Sequence, residues 1–384
     1  MKPVYFDYAA TTPVDPRVVD AMLPFLKDVC GNPSSVHSFG RAAKSAVRDA
    51  REEIAKLIDA EAEHIFFTSG GSESDALLLK GYFLAQQDAG KRAKFVTSTI
   101  EHHAVLRTCE TLQSRGAEIV YVSADKEGSV SPAAVTANLD EGAALVSVMT
   151  ANNEIGTIEP IQEIAAAAHM RGAFFHTDAV QAVGHIPLSV RDMGIDALSL
   201  SGHKLYAPKG IGALYVHPKV KILPLIEGGE QERGMRAGTE NVPAIVGLGC
   251  AAKLANEEMA AEGKRIRALG EKLAHGIQLF QGAYINGKDP ASESRLPGNV
   301  NFGIAGIASD TMLIRLDLAG FAVSAGSACS AGSIAPSHVL MAIGCTKARA
   351  GESIRVSLGR FTKEKDIDVF LSVLREIVQD RAVK

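Results

Sequence analysis

One lysine follows the end of a buried strand, where a sheet protein can place a reactive amine. The apolar run that ends at Leu200 is followed at once by Ser201, His203 and Lys204. Two hydrogen-bond donors beside a lysine at the carboxyl end of a strand can hold a phosphate and direct the amine at an aldehyde. Taken alone, these residues fit a polar turn with a surface lysine better.

A carboxylate ends another apolar strand. Asp178 closes the strand in "AFFHTDA", and Gln181 follows three residues later. Burying a carboxylate is costly unless it has a cationic partner. A protonated pyridine nitrogen is such a partner, and the pairing makes a pyridoxal ring a better electron sink. A helix N-cap is the alternative interpretation of Asp178, and this motif alone does not decide between them.

Two further motifs follow predicted strand ends. In "FFTSGGSESD", a turn at Gly71 precedes a helix that starts near Ser72, and the free backbone N–H groups there favour an anion. Ser72 and Asp75 also fit a capping box, and both interpretations can hold together. In "STIEHHAVLR", His102 or His103 could stack on a flat cofactor and move protons. A satisfied surface or core histidine is the alternative there.

A single cysteine lies within "SAGSACSAGS", residues 324–333, where every other residue is Ser, Ala or Gly. Such segments behave as mobile tethers, which suits a nucleophile that carries its cargo elsewhere. A tight turn of small residues is the alternative. Arg355 and Arg360 follow in "SIRVSLGRF", and arginine suits the capture of a carboxylate. Together with Cys329, these groups indicate amino-acid chemistry on pyridoxal phosphate with a cysteine as second nucleophile.

The elements that must position these residues follow an alternating pattern. Residues 41–58 form an amphipathic helix. After them, short apolar strands alternate with helices, which predicts a mostly parallel sheet covered on both faces, with ligands at the carboxyl ends of its strands. We expect a large domain at 15–257. A smaller α+β domain should comprise residues 1–14 and 258–384 and carry the cysteine segment.

Composition excludes several classes of function. The 384 residues are 46% hydrophobic and 22% charged, which is typical of a soluble globular protein. A net charge of −4 gives no basic surface for nucleic acid, and no apolar stretch is long enough to cross a membrane. Five irregularly spaced cysteines favour a reducing cytoplasm over a disulfide framework. Without a CxxC motif or a Cys/His cluster, we expect no metal.

One glycine motif could be mistaken for a nucleotide site. "GLGCAA" at residues 247–252 matches a relaxed dinucleotide fingerprint, but no strand precedes it and its surroundings are helical. A nicotinamide dehydrogenase is therefore rejected. The remaining cysteines lack a reactive context and are expected to be structural; they are Cys30, Cys109, Cys250 and Cys345.

Along nearly its whole length, the sequence resembles the cysteine desulfurases, which are pyridoxal-phosphate-dependent members of the class V aminotransferase family. The matching motifs are "YFDYAATTP", "GNPSSVHSFGR", "TSGGSESD", "EHHAVL", "NNEIGT", "DAVQAVG", "SGHKLYAPKGIGALY", "ERGMRAGTENV", "SAGSACSAGS" and "IRVSLGRFT". The resemblance implies the fold of a fold-type I transferase, an α/β protein. The cysteine segment is similar to that of the subgroup with a long, mobile catalytic loop.

The resemblance also implies a role for individual residues. Lys204 would bind the cofactor aldehyde and act as acid and base, and Cys329 would take the substrate sulfur as a persulfide. Asn153 and Arg355 would bind the substrate carboxylate. Thr239 would reach the cofactor phosphate of a neighbouring subunit, which implies a homodimer. The implied cofactor-binding residues are Gly71, Ser72, His102, Asn153, Asp178, Gln181, Ser201, His203, Lys204 and Thr239.

The implied reaction converts L-cysteine to L-alanine. The sulfur would pass to an acceptor protein, such as an iron–sulfur scaffold or a thiolation enzyme. A selenocysteine lyase, or another lyase with the same cofactor, is an alternative within the class. A catalytically idle scaffold is an alternative from a different class, but it would need none of Lys204, Asp178, His102 and Cys329, all of which are present.

The Cys329→Ser variant tests the nucleophile. We expect it to turn yellow with pyridoxal phosphate but to release at least about a hundredfold less sulfide from L-cysteine, because a hydroxyl cannot form a persulfide. Absorbance and sulfide release with a thiol reductant measure the two properties. Wild-type sulfide release by the variant would refute the assignment of Cys329.

Overall fold

The computed structural model describes residues 3–139, 144–326 and 336–380. Cys329 lies outside these residues. Within them, the strands are β1 (Val4–Tyr5), β2 (Ile65–Thr68), β3 (Lys94–Ser98), β4 (Glu118–Val122), β5 (Ala144–Ser147), β6 (Phe174–Asp178), β7 (Ala197–Ser201), β8 (Gly212–Val216), β9 (Ala283–Ile285), β10 (Asn299–Ile304), β11 (Phe321–Ala322) and β12 (Ser353–Ser357). The helices are α1 (Pro16–Lys27), α2 (Ser38–Ile58), α3 (Gly71–Asp88), α4 (His103–Ser114), α5 (Pro132–Ala137), α6 (Ile161–His169), α7 (Val242–Gln278), α8 (Ser309–Leu318), α9 (His338–Ala342), α10 (Lys347–Gly351) and α11 (Glu364–Gln379).

The central sheet has seven strands in the order β2-β8-β7-β6-β5-β3-β4. Only β8 runs antiparallel to its neighbours in this sheet. Successive residues of one strand enter different clusters of buried side chains: Val96 and Val146 lie in one cluster, Phe95 and Leu145 in the other. Both faces of the sheet are therefore buried, as the runs of apolar residues predict.

The parallel direction of these strands brings their carboxyl ends to one edge of the sheet. Asp178 ends β6 and Ser201 ends β7, and the register pairs Asp178 with Ser199. The chain leaves β2 through the turn that begins α3, and leaves β3 just before His102. The polar residues that follow the strands in sequence therefore converge in space.

Helix α2 confirms the predicted amphipathic helix but begins earlier than residue 41. Its apolar side chains, which include Val47 and Ile54, are buried. The start at Ser38 has a local cause, because the Nδ1 atom of His37 accepts a hydrogen bond from the backbone N–H of Gly40 at 3.2 Å. Histidine is not among the preferred capping residues, so the sequence does not predict that the helix starts at Ser38.

A second group of elements follows the central sheet. Strands β12, β10 and β9 form an antiparallel sheet, and β1 pairs with β11. Phe6 and Phe321 belong to a separate buried cluster with side chains from the second half of α7. The first half of α7 instead packs into the core of the large sheet. The expected domain boundary at residue 257 falls inside α7, and the division into two domains stays a prediction.

The glycine motif at residues 247–252 lies inside α7, with no strand before it. Its glycines allow helices to approach closely: a Cβ atom at Gly249 would lie 2.5 Å from the Cα atom of Ala50 in α2. In the described part of the chain, no helix is sufficiently long and apolar to traverse a bilayer.

Replacing Gly249 by alanine tests this contact. We expect Gly249→Ala to lower the free energy of unfolding by about 1–3 kcal/mol, because the added methyl group must push α2 and α7 apart. Gly263→Ala in the same helix is the matched control, since its Cβ would meet only the carbonyl oxygen of His185, at 3.8 Å. That change should be neutral or stabilise by up to about 1 kcal/mol through helix propensity. Thermal unfolding of both variants measures the difference; equal midpoints would contradict the close-packing explanation.

Candidate active site

A cavity of about 160 Å³ lies at the carboxyl edge of the central sheet. It collects nearly all of the residues that the sequence indicated, although they come from distant parts of the chain. The predicted site residues that line it are Gly71, Ser72, His102, Asn153, Asp178, Gln181, Ser201, His203, Lys204 and Arg355. The surface-turn alternative for Lys204 is therefore wrong.

Lys204 ends a short 3-10 helix, Gly202–Lys204, that follows β7 directly. Its Nζ atom donates hydrogen bonds to the carbonyl oxygens of Ala9, at 2.5 Å, and Ala10, at 2.6 Å. Its own backbone carbonyl lies 2.9 Å from the Nε2 atom of the half-buried His185. The amine is thereby directed across the cavity toward the N-terminal segment.

The N-terminal segment forms a wall of the cavity that reasoning from single residues missed. The Nε2 atom of Gln181 donates to the carbonyl oxygen of Ala9 at 2.9 Å. Thr12 holds the backbone carbonyl of His203, and the Oγ1 atom of Thr11 lies 3.1 Å from the Nδ1 atom of that histidine. Ala9, Thr11 and Thr12 carry no ionisable side chain, so only the motif "YFDYAATTP" could have identified them.

Two buried carboxyl groups line the deep end of the cavity. Asp178 is 4% exposed and accepts a hydrogen bond from the backbone N–H of Val180 at 2.9 Å. No helix follows it, so the N-cap interpretation is wrong. Asp75 is 1% exposed, and its Oδ1 atom has no hydrogen-bond partner among the described residues. Burial raises the pKa of both carboxyl groups. A cation bound here would relieve that cost.

A row of neutral polar side chains supports these carboxyl groups from below. His176, on β6, lies between the Oγ atoms of Ser147, at 2.9 Å from Nδ1, and Ser199, at 3.1 Å from Nε2. Burial lowers the pKa of His176 to about 3, so the ring is neutral at neutral pH. Its Nε2 atom is 3.8 Å from Asp75 Oδ1 and supplies no positive charge there. His176 therefore does not neutralise either carboxyl group.

The part of the cavity at the start of α3 suits an anion. Helix α3 begins here with Gly70 as its N-cap and no capping side chain, so the predicted capping box of Ser72 and Asp75 does not form. A Cβ atom at Gly71 would lie 2.5 Å from Val180 Cγ2, so any larger residue here would have to displace Val180. Ser72, Ser201 and His203 also line the cavity, beside the backbone N–H groups at the start of α3. Burial lowers the pKa of His203 to about 4, which leaves a neutral ring for hydrogen bonding.

His102 also lines the cavity, as the N-cap of α4. Its Nδ1 atom accepts a hydrogen bond from the backbone N–H of Ala104 at 3.1 Å. Burial lowers the pKa of His102, while Asp178 acts in the opposite direction. In the neutral ring the proton is therefore on Nε2. His103 does not line the cavity and instead contacts the ring of His338 at a centroid distance of 4.5 Å.

A buried arginine closes the remaining side of the cavity. Arg355 is 1% exposed; it donates to the carbonyl oxygen of Asn153 at 2.8 Å and to Asp7 Oδ1 at 2.9 Å. Its Nε atom has no hydrogen-bond partner among the described residues. Arg360, the second arginine of the motif, points elsewhere and pairs with Asp15 and Glu258. Of the two arginines in the motif, Arg355 is therefore the one that lines the cavity.

Among the predicted site residues that the structure describes, Thr239 alone does not line this cavity. Thr239 is exposed to solvent. Cys329 lies outside the described residues, but the segments on both sides of it can be placed. Ser324 exchanges two backbone hydrogen bonds with Arg355, and the hydroxyl of Ser337 donates to Glu154 Oε2 at 2.5 Å. Both flanks therefore lie beside the Asn153 and Arg355 side of the cavity.

Three of the other cysteines have thiols whose reactivity is reduced by burial. Burial raises the pKa of Cys109 to about 12 and also raises the pKa values of the Cys250 and Cys345 thiols. A raised pKa reduces the thiolate fraction on which reactivity depends. Cys30 is exposed, and the described residues contain no group of three or more His, Cys, Asp or Glu side chains suited to a metal ion.

The buried Glu101 beside His102 provides a pH test of the site. It is fully buried, with its Oε1 atom accepting from Ser98 Oγ at 2.6 Å and the N–H of Met149 at 3.0 Å. Burial raises the pKa of Glu101 from 4.5 to about 8. Between these two pKa values, the folded protein retains the proton on the Glu101 carboxyl group, whereas the unfolded chain has released it. The contribution of Glu101 to stability therefore falls as the pH rises from about 4.5 to about 8.

Glu101→Gln should remove this dependence, because glutamine keeps the carbonyl acceptor and cannot titrate. Relative to the wild type, the variant should gain up to roughly 1.4 kcal/mol per pH unit across that range. Unfolding measured at both ends of the range tests the prediction. Glu110→Gln, at the exposed Arg107–Glu110 pair of α4, is the control and should follow the wild type. A constant difference between Glu101→Gln and the wild type would contradict the buried-proton explanation.

Comparison with known proteins places this site in a family. The family model described as aminotransferase class-V matches residues 4–370. A cysteine desulfurase IscS of Dictyoglomus turgidum is 48% identical over 377 residues, which cover 98% of this chain and 94% of the relative. A cysteine desulfurase IscS of Methanosarcina thermophila is 46% identical over 378 residues, which cover 98% and 92%.

Solved structures agree with these relatives. A NifS-like protein superposes with a TM-score of 0.91 at 36% identity, covering 98% of this chain and 99% of that one. A structure described as SspA in complex with cysteine superposes with a TM-score of 0.82 at 37% identity, covering 94% and 99%. The expected fold class and the expected cofactor, pyridoxal 5′-phosphate, are thereby confirmed. The chain belongs to the class V aminotransferase family and, within it, to the cysteine desulfurases.

Proposed function

We propose that this chain converts L-cysteine to L-alanine with pyridoxal 5′-phosphate and transfers the sulfur to Cys329. The observation that supports this function most strongly is the single cavity that joins Lys204, Asp178, an anion-binding turn and Arg355. A lysine, a desolvated carboxylate, phosphate donors and a carboxylate-binding arginine are the groups that such chemistry requires. No glycine fingerprint or metal cluster competes with this interpretation in the described part of the chain.

The charged and polar groups of the cavity suit both the ring nitrogen and the phosphate of the cofactor. At the deep end, Asp178 is desolvated and would pair with the ring nitrogen, which restores a charge partner to the carboxylate. At the other end, the N-terminus of α3 with Ser72 and Ser201 would hold the phosphate. When bound, the cofactor supplies an electron sink for the bonds at the substrate α-carbon.

Lys204 holds and moves protons in this proposal. Its amine would bind the cofactor aldehyde and, once displaced by the substrate amine, act as acid and base at the substrate carbons. The carbonyl oxygens of Ala9 and Ala10, which accept from Nζ, keep the amine within the cavity. His102 would lie over the ring, and the hydrogen bond to Ala104 fixes the orientation of its imidazole.

Asn153 and Arg355 would orient the substrate. The guanidinium of Arg355 is fixed by Asp7 and by the carbonyl of Asn153, while its Nε–H has no partner among the described residues. A substrate carboxylate is a strong acceptor for a guanidinium group. Because Arg355 is buried, water is largely excluded from this contact, which increases its strength.

The sulfur step in this proposal uses the Cys329 thiolate. It attacks the substrate sulfur, an S–S bond forms, and the C–S bond breaks with its electron pair remaining on the carbon side. Protonation of that carbon yields alanine and leaves a persulfide on Cys329. The positions of Ser324 and Ser337 support this role, since both flanks of the cysteine segment lie near Arg355 and Glu154.

The surroundings of the reaction are also part of the proposal. The persulfide sulfur would pass to a thiol of an acceptor protein, either an iron–sulfur scaffold or a thiolation enzyme. The chain would act as a homodimer in the cytoplasm, with the exposed Thr239 reaching the cofactor phosphate of the other subunit.

Product analysis with Lys204→Ala tests this function. Wild-type enzyme with L-cysteine and a thiol reductant should release alanine and sulfide in equal amounts. Lys204→Ala should lack the yellow absorbance of lysine-bound cofactor and form at least about a hundredfold less alanine, because no amine remains to move the proton. Amino-acid analysis and absorbance spectra measure both properties. A wild type that binds the cofactor but forms no alanine, or an active Lys204→Ala variant, would refute the proposal.

A further inference from the structure

A carboxylate lies where the proposed site should bind a phosphate. Glu73 occupies the first turn of α3, directly after Ser72. With Ser72, Ser201, His203 and Lys209, it lines an open groove of about 400 Å³ that continues from the cavity. A negative charge at this place should repel a phosphate. The presence of Glu73 therefore requires a reason.

The side chain of Glu73 fixes the backbone of the phosphate-binding turn. Its Oε2 atom accepts a hydrogen bond from the N–H of Ser69 at 2.9 Å. Ser69 precedes Gly70 and Gly71, the residues through which the chain passes from β2 into α3. By holding Ser69, Glu73 limits the conformations of a glycine pair that would otherwise be free to rearrange.

Arg236 compensates the charge of Glu73. Its Nε atom donates to Glu73 Oε1 at 3.0 Å, and the two side chains are 28% and 19% exposed. A second bond, from Arg236 Nη1 to the carbonyl oxygen of Ala237 at 3.2 Å, orients the guanidinium. The carboxylate can thus hold the turn while its charge is largely offset.

The segment that carries Arg236 is itself anchored against the strand before the turn. Glu232 accepts a hydrogen bond from the N–H of Phe67, in β2, at 2.8 Å. Glu232 also forms a buried two-point pair with Arg51, with both N–O distances at 2.7 Å. Glu232 and Arg233 have positive φ angles of 46° and 55° without being glycine, which a backbone tolerates only where its surroundings hold it. Arg236 is therefore presented to Glu73 from a rigid support.

We propose that Glu73 and Arg236 are a pair of positioning residues for the cofactor phosphate, in which Glu73 shapes the turn and Arg236 cancels the repulsion that Glu73 would exert. The inference rests on the proposed function, because it assigns the turn at residues 69–72 to the phosphate of pyridoxal 5′-phosphate. Neither residue contacts the reacting atoms. Their effect is confined to how strongly the phosphate contributes to cofactor binding.

The test compares pyridoxal 5′-phosphate with pyridoxal, which lacks the phosphate. Binding of each to the full chain stripped of cofactor is measured by absorbance for the wild type, Arg236→Gln and Arg236→Gln/Glu73→Gln. Arg236→Gln leaves Glu73 charged, so its affinity for pyridoxal 5′-phosphate should fall about tenfold, with a much smaller change for pyridoxal. The double variant removes the repelling charge and keeps an acceptor for Ser69, so it should bind the phosphorylated cofactor more tightly than Arg236→Gln.

Arg107→Gln is the matched control, because it removes an arginine from an exposed ion pair on α4, away from the site. It should bind both ligands like the wild type. Thermal unfolding of the stripped variants shows whether folding is affected. Equal losses for both ligands in Arg236→Gln, or a double variant that binds no better than the single one, would overturn the proposal. A wild type without affinity for pyridoxal 5′-phosphate would overturn the proposed function together with this inference.

Discussion

The parallel direction of the central strands is the constraint on which the rest of this molecule depends. Parallel strands need long connections that return the chain to the starting edge of the sheet, and here helices such as α3, α4 and α6 provide them. Since each strand then ends at the same edge, residues far apart in sequence become neighbours. Asp178 and Ser201 meet for this reason, and so do the turn before α3 and the cap of α4.

This geometry concentrates groups that are costly to bury. Asp178, Asp75 and Arg355 are each at most 4% exposed, and each contributes to one small cavity. Within the described residues, Asp75 Oδ1 and Arg355 Nε have no hydrogen-bond partner. A protein interior normally satisfies such groups. In the proposed function, the cationic ring nitrogen offsets the burial of Asp178, and the anionic substrate offsets that of Arg355.

A second set of contacts holds the cavity from outside the sheet. The N-terminal segment fixes Lys204 and His203 through backbone carbonyls and threonine hydroxyls. From the other side, Arg355 reaches over from β12, which belongs to the smaller sheet. The site therefore requires both groups of elements to be assembled. Helix α7, whose halves pack into different clusters of buried side chains, is the continuous element that links them.

The sequence alone determined the fold class and most of the chemistry. The strand ends near Lys204, Asp178 and His102 can be recognised in the sequence as apolar runs that stop at a polar residue. They are recognisable because a buried strand must be built from apolar residues. The ordered motifs identified the family and, with it, Asn153 and the pairing of Asn153 with Arg355 as the carboxylate-binding residues.

Only the tertiary structure decided which polar groups face the cavity. It showed that Arg355 lines the cavity and pairs with Asp7, whereas Arg360 pairs with Asp15. It placed Asp75 in the site rather than in a capping box, and it showed the carbonyl oxygens of Ala9 and Ala10 beside Lys204. The physical reason is that the orientation and burial of a side chain depend on contacts between residues far apart in the chain, such as Arg355 with Asp7. Backbone carbonyl groups, such as those of Ala9 and Ala10, are present at every residue and therefore give no signal in the sequence.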